Sequence, residues 1–408
     1  MKYTCLSVFL CCAVLLGGTA DLSRYAEESF WVKRAEIPAI TRSNLVQAIE
    51  MGRSYFLNHI RPEGNFIYSL DLATGDINTK DNQVRQAGAL WCLSSLNRDR
   101  FNEPTRRALV LGMDFYASNL QELPTPGLKC PVYPGFKSIA TGAVALQALA
   151  VMEFLIGQER YLDDKVKSRY RTLLEHQLAF LHHMELPDGS WAREYDLNTG
   201  FRDDTTSPYY DGECLLAYCK AARFLGYSGL CARIDHALPN LFEKYTVQRW
   251  KNCTEDEQTK GFCQWGCLAA AEYLEAGWKP AVQIAKDGAL ALAWWLVYDN
   301  QIALRVSNSG YAVEGLLGAW RVAVVAGDKQ SAARLRQVIL EIMPRLMTYQ
   351  YKGPFMACNP TLAALHKAPP GADGGIVNGK GDTVVRIDVH QHQMHAMLLM
   401  LKHFFPNE

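Results

Sequence analysis

The sequence lacks an excess of charge of either sign: 42 Lys and Arg are matched by 42 Asp and Glu. No net field draws such a chain to nucleic acid or to an anionic membrane surface, and neither is expected as a partner. Linkers rich in Pro, Ser or Gly are also missing, so nothing marks a boundary between domains. After the extreme N-terminus no further apolar run reads as a membrane span. Cysteine is too sparse for a disulfide scaffold, with 12 in 408 residues, and several lie inside apolar helical segments as small buried hydrophobes. Only Cys253 and Cys263, which flank a polar loop, invite pairing in an oxidising compartment. No set of His, Cys and carboxylates falls in a zinc-ligand spacing. Neither a metal nor any other cofactor is expected.

What is present begins with Lys2, an apolar run from Cys5 to Leu16 and the small-residue step Gly18-Thr19-Ala20. This is the pattern of a secretory signal peptide over 1–20. The run is too short to cross a bilayer comfortably. The expectation is a secreted or periplasmic protein whose mature part, 21–408, forms one domain. Asn252-Cys253-Thr254 is a formal glycosylation sequon, relevant only in a eukaryotic host.

Amphipathic helical periodicity, with apolar residues three and four apart and charges between them, recurs at 43–60, 105–121, 164–184, 231–245, 280–296 and 331–349. A second kind of stretch, rich in Gly and Ala and apolar almost all round, lies between them at 83–96, 139–156, 212–225, 262–276, 309–325 and 387–404. A helix that is apolar on all sides is buried, so solvated and buried helices alternate as an outer and an inner ring would require. Each pair takes roughly fifty to sixty residues, a period suited to one supersecondary unit. The apolar stretches are too long and too rich in Ala and Leu to be strands of a parallel sheet. The predicted fold is all-α, an (α/α)6 toroid of six inner and six outer helices.

One loop occurs twice. Gly64-Asn65-Phe66 leads to Asp71-Leu72-Ala73-Thr74-Gly75, and Gly189-Ser190-Trp191 leads to Asp196-Leu197-Asn198-Thr199-Gly200. Each copy feeds the start of an inner helix, at Asp81 to Arg85 and at Asp211 to Glu213. Long loops on one face of a rigid scaffold are where binding and catalytic groups usually sit.

Tyr209-Tyr210-Asp211-Gly212-Glu213 opens the third inner helix. Asp211 alone reads equally well as an N-cap in an acidic first turn. Glu213 enters a nearly all-apolar helix, so desolvation should raise its pKa and let it act as acid or base near neutral pH. Tyr209 and Tyr210 offer a stacking floor for a sugar. On the last inner helix Asp388, Gln391, His392 and His395 share a face, a polar stripe that a core helix does not need and that reads as pocket lining. The first inner helix offers Asp81, Arg85 and Gln86 ahead of Ala87-Gly88-Ala89, whose small side chains let another group approach the backbone. Arg85 either pairs with Asp81 or turns its fork to a substrate carboxylate or hydroxyls. Gln264 and Trp265 on the fourth inner helix, with Asn308, Tyr311 and Glu314 on the fifth, complete a ring of polar and aromatic residues.

On Asn82-Gln83-Val84-Arg85-Gln86-Ala87-Gly88-Ala89-Leu90-Trp91, Tyr210-Asp211-Gly212-Glu213-Cys214-Leu215-Leu216-Ala217 and Arg386-Ile387-Asp388 with Gln391-His392, the chain resembles the six-hairpin glycosidase-like (α/α)6-toroid superfamily, in a poorly characterised secreted subgroup. Relatives of this fold include glycoside hydrolases, polysaccharide lyases and sugar 2-epimerases, so the resemblance implies a carbohydrate substrate. The chain also departs from several toroid patterns. Asp188-Gly189-Ser190-Trp191 looks like a turn of terpene cyclases, but their acidic catalytic motif is missing, as is the Cys-His-Gly zinc motif of lanthionine cyclase-like toroids. Arg85 and His392 imitate the Arg and His of sugar 2-epimerases, without their His-Trp-Trp-type segment.

The activity expected first is glycoside hydrolysis of an oligo- or polysaccharide. Asp211 or Glu213 would be the general acid with Asp388 opposite, because glycosidic cleavage normally uses two carboxylates. His392 joins them as a candidate catalytic group, and Arg85, Gln86, Tyr210, Trp265, Tyr311, Glu314 and Gln391 are the expected substrate contacts. A lyase would instead use His392 or a Tyr to remove a proton beside a uronate carboxylate held by Arg85. The same fold also admits a sugar epimerase or a non-catalytic glycan-binding toroid. A purely structural scaffold is disfavoured by the repeated loop and the His-rich helix. Oligomeric state is not legible.

Overall fold

The computed structural model describes residues 37–158, 161–251 and 257–406. The expected signal peptide, the sequon at Asn252 and the Cys253 half of the suggested disulfide lie outside these residues. Cys263 is a free, buried thiol whose Sγ donates to the Leu292 carbonyl.

Among the described residues twelve helices build the molecule: α1 (Arg42–His59), α2 (Gln83–Asp99), α3 (Glu103–Ser118), α4 (Thr141–Gln158), α5 (Asp164–His183), α6 (Pro208–Leu225), α7 (Cys231–Glu243), α8 (Glu257–Glu275), α9 (Val282–Tyr298), α10 (Gly310–Val325), α11 (Lys329–Met347) and α12 (Ile387–Phe404). A single turn, Pro360–Ala363, stands outside this series. The even-numbered helices form the inner ring. Each packs on the next, from α2 through α4, α6, α8 and α10 to α12, and α12 returns to α2. The odd-numbered helices surround them, giving the (α/α)6 toroid.

The two helix types differ in burial as their sequences dictate. α5 buries one stripe, Tyr170, Leu173, Leu174, Gln177, Leu178 and Leu181 with Phe180 beside it, and leaves its charges in water. α4 buries everything except Ile156 and Gly157. By length and composition α4 would suffice to cross a membrane, yet here it is a wall of the ring core. α9 departs from the expected solvated pattern. From Ala289 to Tyr298 it is buried on all sides, because it is wedged among α7, α8 and α10.

Small antiparallel sheets cap the face where the inner helices begin. They are formed by β1 (Ser69–Asp71), β2 (Ile77–Asn78), β3 (Leu120–Glu122), β4 (Lys129–Pro131), β5 (Ser138–Ala140), β6 (Ala192–Asp196), β7 (Arg202–Thr206) and β8 (Val384–Arg386). The repeated loop is one hairpin built twice. Gly64 and Gly189 take positive φ of 106° and 81°, and Gly75 and Gly200 take 82° and 72°, a region in which a side chain would be strained. Asp71 and Asp196 close the two tips alike, each accepting the backbone N–H of its Gly at 2.8 and 3.0 Å. β1 of the first hairpin pairs with β8, so the strand that enters α12 is tied to the loop that enters α2. β6 of the second pairs with β5, which enters α4.

The opposite mouth of the ring is lined by a salt-bridge network. Glu272 meets Arg321 at 3.0 Å and Lys220 at 3.4 Å, and Glu153 meets Arg98 and Lys220 at 2.8 Å each. Both carboxylates are almost wholly buried. Such charges persist away from water only while paired.

Candidate active site

The inner helices start on the hairpin face, and the first turns of α2, α6, α8, α10 and α12, with Leu146 of α4, surround one cavity of about 470 Å³, a size typical of small-ligand sites. Arg85, Tyr210, Glu213, Trp265, Tyr311, Asp388, Gln391 and His392 all line it. Of the substrate contacts and catalytic groups expected from the sequence, Gln86, Asp211 and Glu314 do not.

Gln86 and Asp211 hold the two hairpins. Gln86 takes the Phe66 backbone in both directions, accepting its N–H at 2.8 Å and donating to its carbonyl at 2.9 Å. Asp211 accepts the Trp191 backbone N–H at 2.8 Å and the Tyr245 hydroxyl at 2.5 Å. The two residues stand 20 positions after Phe66 and Trp191 respectively, so they are equivalent members of the repeat. Burial pushes the Asp211 carboxyl up to about 6, against the pull of Lys244, Tyr245 and the Trp191 N–H.

Asn82 caps α2 by accepting from the backbone N–H groups of Val84 and Arg85, which fixes Arg85 in the first turn. Asp81 is not its partner. That carboxylate is taken by the Tyr133 hydroxyl at 2.6 Å and Gln86 at 2.8 Å. Arg85 reaches across the ring closure to Asp388, 3.2 Å away, and also bonds the Tyr68 hydroxyl. Arg386 grips the same Asp388 with two guanidinium nitrogens at 2.6 and 3.0 Å. Burial alone would raise Asp388, but the Arg386 fork and Arg85 outweigh it and hold the carboxylate below its usual range.

Glu213 is the opposite case. It is 3% exposed, and its Oε2 has no hydrogen-bond partner among the described residues. Burial pushes its pKa well above the ordinary carboxylate value with nothing to offset it, which favours the acid form. Gly142 of α4 provides its seat: a Cβ there would lie 2.2 Å from both Glu213 Oε2 and Tyr210 Cδ1. Gly88 does the same for Gln391, whose Oε1 would lie 3.0 Å from an added Cβ. The group that approaches the small-residue patch of α2 is therefore a neighbouring side chain.

Glu314 is fully buried beneath the cavity and organises its floor. It accepts from Gln264 at 2.7 Å, from His392 Nδ1 at 2.8 Å and from His395 Nδ1 at 2.6 Å. A carboxylate accepting from an imidazole keeps the proton on that nitrogen. The Gln264 and Gln391 amide nitrogens also approach His392 Nδ1, at 3.2 and 3.3 Å, while Nε2 has no protein partner among the described residues, on a ring that borders the cavity. Trp265 and Tyr311 stand edge-on to this ring, with centroids 6.2 and 6.4 Å away. His395 lies one turn deeper, against Trp91 at 4.3 Å, and lines the cavity at the opposite mouth. His390 points outward to α1, bonds the Gly52 carbonyl at 3.0 Å, and is held by burial down to about 3. The polar stripe of α12 thus serves several separate environments.

Among the described residues no group of three or more His, Cys, Asp or Glu side chains is placed to hold a metal. Sequence reasoning missed two cations on the cavity wall, Lys260 and Arg305. Arg305 lies in the connection before α10, where no helical periodicity singles it out. Lys260 sits in the first turn of α8, and its i−3 pairing with Glu257 is that of an ordinary surface lysine.

No family model matches the sequence, and no curated protein matches it. Solved structures do. The chain is similar to a D-mannose isomerase at 14% identity and a TM-score of 0.61, covering 89% of this chain and 98% of the isomerase. It is similar to the cellobiose 2-epimerase of Spirochaeta thermophila at 13% identity and 0.59, covering 88% and 96%. A cellulase of C. cellulolyticum matches at 12% identity and 0.52, covering 88% and 99%. The chain has the six-hairpin glycosidase-like fold of these enzymes. At such identities the likeness speaks for the fold alone.

Proposed function

We propose that this protein is an exported carbohydrate-active enzyme that transfers protons at a sugar carbon, with His392 as base and Glu213 as acid. The observation that carries this reading is the Glu314–His392 pair, in which a buried carboxylate fixes the imidazole and leaves Nε2 toward the cavity. Orientation of a histidine by a buried carboxylate is a recurrent way to prepare a general base. Glu213 on the same cavity, pushed toward its acid form by burial and with Oε2 unpartnered among the described residues, supplies the proton that must be returned. Tyr209, Tyr210 and Tyr311 on the cavity wall offer rings for a pyranose to pack against. Export rests on the leader pattern over 1–20.

Hydrolysis is the second reading, favoured by one specific contrast. Burial pushes the Glu213 pKa up while the two guanidinium groups hold that of Asp388 down, the split that an acid and its partner carboxylate need. Asp388 is engaged by two guanidinium groups, however, and no other carboxylate lines the cavity among the described residues. A His base requires no such second carboxylate.

Product analysis separates the readings. Incubation with mannose, cellobiose, manno- and cello-oligosaccharides and uronate oligosaccharides is expected to yield an epimer, an isomer or an unsaturated sugar. A new reducing end with no unsaturation would favour hydrolysis. Binding with no turnover of any kind would leave a glycan-binding toroid.

A further inference from the structure

The charges on the cavity wall do not balance. Arg85, Arg386, Lys260 and Arg305 face it, against Asp388 and Glu213 as the only carboxylates among its described lining. Asp388 already answers Arg85 and Arg386. Burial without a partner among the described residues pushes Glu213 toward its neutral form. Lys260 and Arg305 remain. Among the described residues Lys260 has only Glu257, 2.9 Å away and largely in water. Arg305 has the Tyr311 hydroxyl at 3.4 Å and no carboxylate among the described residues. Glu314, below, is met by two imidazoles and an amide. The inner helices add the positive ends of their dipoles on the same side.

We propose that the substrate carries a carboxylate, as a uronic acid residue does, and that Arg305 and Lys260 receive it. This rests on the reading of the cavity as a sugar site but not on which proton-transfer reaction occurs there. A guanidinium and a carboxylate match as two parallel hydrogen bonds. A carboxylate also fits the chemistry better than a sulfate or phosphate, because only the carboxylate acidifies the adjoining C–H. His392 Nε2 takes the C5 proton, and the electron pair moves into the carboxylate neutralised by Arg305. The pair then returns to C5 with a proton from Glu213 on the opposite face, or forms the C4–C5 double bond as the C4–O bond breaks and Glu213 protonates the departing oxygen.

Calorimetric binding to the mature chain tests this with trimers of galacturonate, glucuronate and mannuronate, their methyl esters, cellotriose, mannotriose and a sulfated neutral trimer. At least one uronate trimer is expected to bind tenfold or more tighter than its methyl ester. Arg305→Gln should lose about tenfold to a hundredfold for the acid and little for the ester, the scale of one charge-assisted contact. Lys260→Gln, whose side chain is nearer solvent, should show the same selectivity with a smaller loss. Equal binding of acid and ester, or a preference that survives both substitutions, overturns the proposal, as does tight binding of only the neutral or sulfated trimers. In those cases the sugar site itself stands. If no saccharide binds at all, the proposed function falls together with this inference.

Discussion

Glu314 Oε2 lies 2.8 Å from His392 Nδ1, while the other oxygen of the same carboxylate lies 2.6 Å from His395 Nδ1. One buried carboxylate thus engages two histidines, His392 on the cavity of the hairpin face and His395 on that of the opposite mouth. Glu314→Gln keeps the volume but offers one acceptor where two are needed. We expect kcat to fall by about 10²-fold, within the range for misdirected acid–base catalysis, with KM changing little. Steady-state kinetics check this, and an unchanged kcat would remove His392 from the mechanism.

Glu213 acts here in its protonated form. Because burial raises its pKa, activity should persist through neutral pH and decline as pH rises past that raised value. Glu213→Gln should retain ligand affinity and lose roughly 10²- to 10⁴-fold in turnover. Its residual activity should lack the alkaline decline. The pH profiles of the two proteins decide the matter, and an alkaline limb that survives the substitution assigns it to another group.

Gly142 makes room for this acid. An added Cβ would press on Glu213 Oε2 and Tyr210 Cδ1 at 2.2 Å, so Gly142→Ala should cost about 1–3 kcal/mol of stability and depress turnover. Gly229 has open space around it, and Gly229→Ala serves as the control. Thermal melts and kinetics of both variants would show whether the effect is local to the site.

Asp211 yields a prediction whose sign follows from its raised value. Unfolded, the carboxyl releases its proton near 3.8; folded, it does so near 6. Between these values unfolding releases a proton, so rising pH removes stability contributed by this group. Asp211→Asn keeps an acceptor for the Trp191 N–H and has nothing to titrate. The melting temperature of wild type relative to Asp211→Asn should therefore decline from about pH 4 to pH 7. A constant difference across that range would contradict it. Asp211→Ala and Gln86→Ala should each cost about 1–3 kcal/mol by leaving backbone groups of the hairpins unpaired.

The toroid was legible because burial writes itself into composition: Ala- and Gly-rich runs such as 139–156 can only be inner helices, and charged runs such as 164–184 can only be outer ones. Half of α9 broke that rule, since tertiary packing covered a face whose flanks carry charge. Arg85, Glu213, Asp388 and His392 were legible as polar residues placed where a core helix has no use for them. Gln86 and Asp211 looked the same, and only the hairpins they hold distinguish them. That distinction was available in principle, because both follow the repeated Gly-x-aromatic step by the same interval. Arg305 carried no such mark. Its importance comes from the absence of a carboxylate partner among the described residues, which is a property of three dimensions.

The central claim, proton transfer at a sugar carbon by His392, is tested most directly in deuterated water. The enzyme is incubated with the saccharide it turns over, and the recovered sugars are followed by proton NMR and mass spectrometry. The account predicts deuterium at one ring or chain carbon of the epimerised or isomerised sugar, or a C4–C5 unsaturated product, and loss of either outcome in His392→Asn. Cleavage to a new reducing end with every C–H retained, undiminished in His392→Asn, would contradict it.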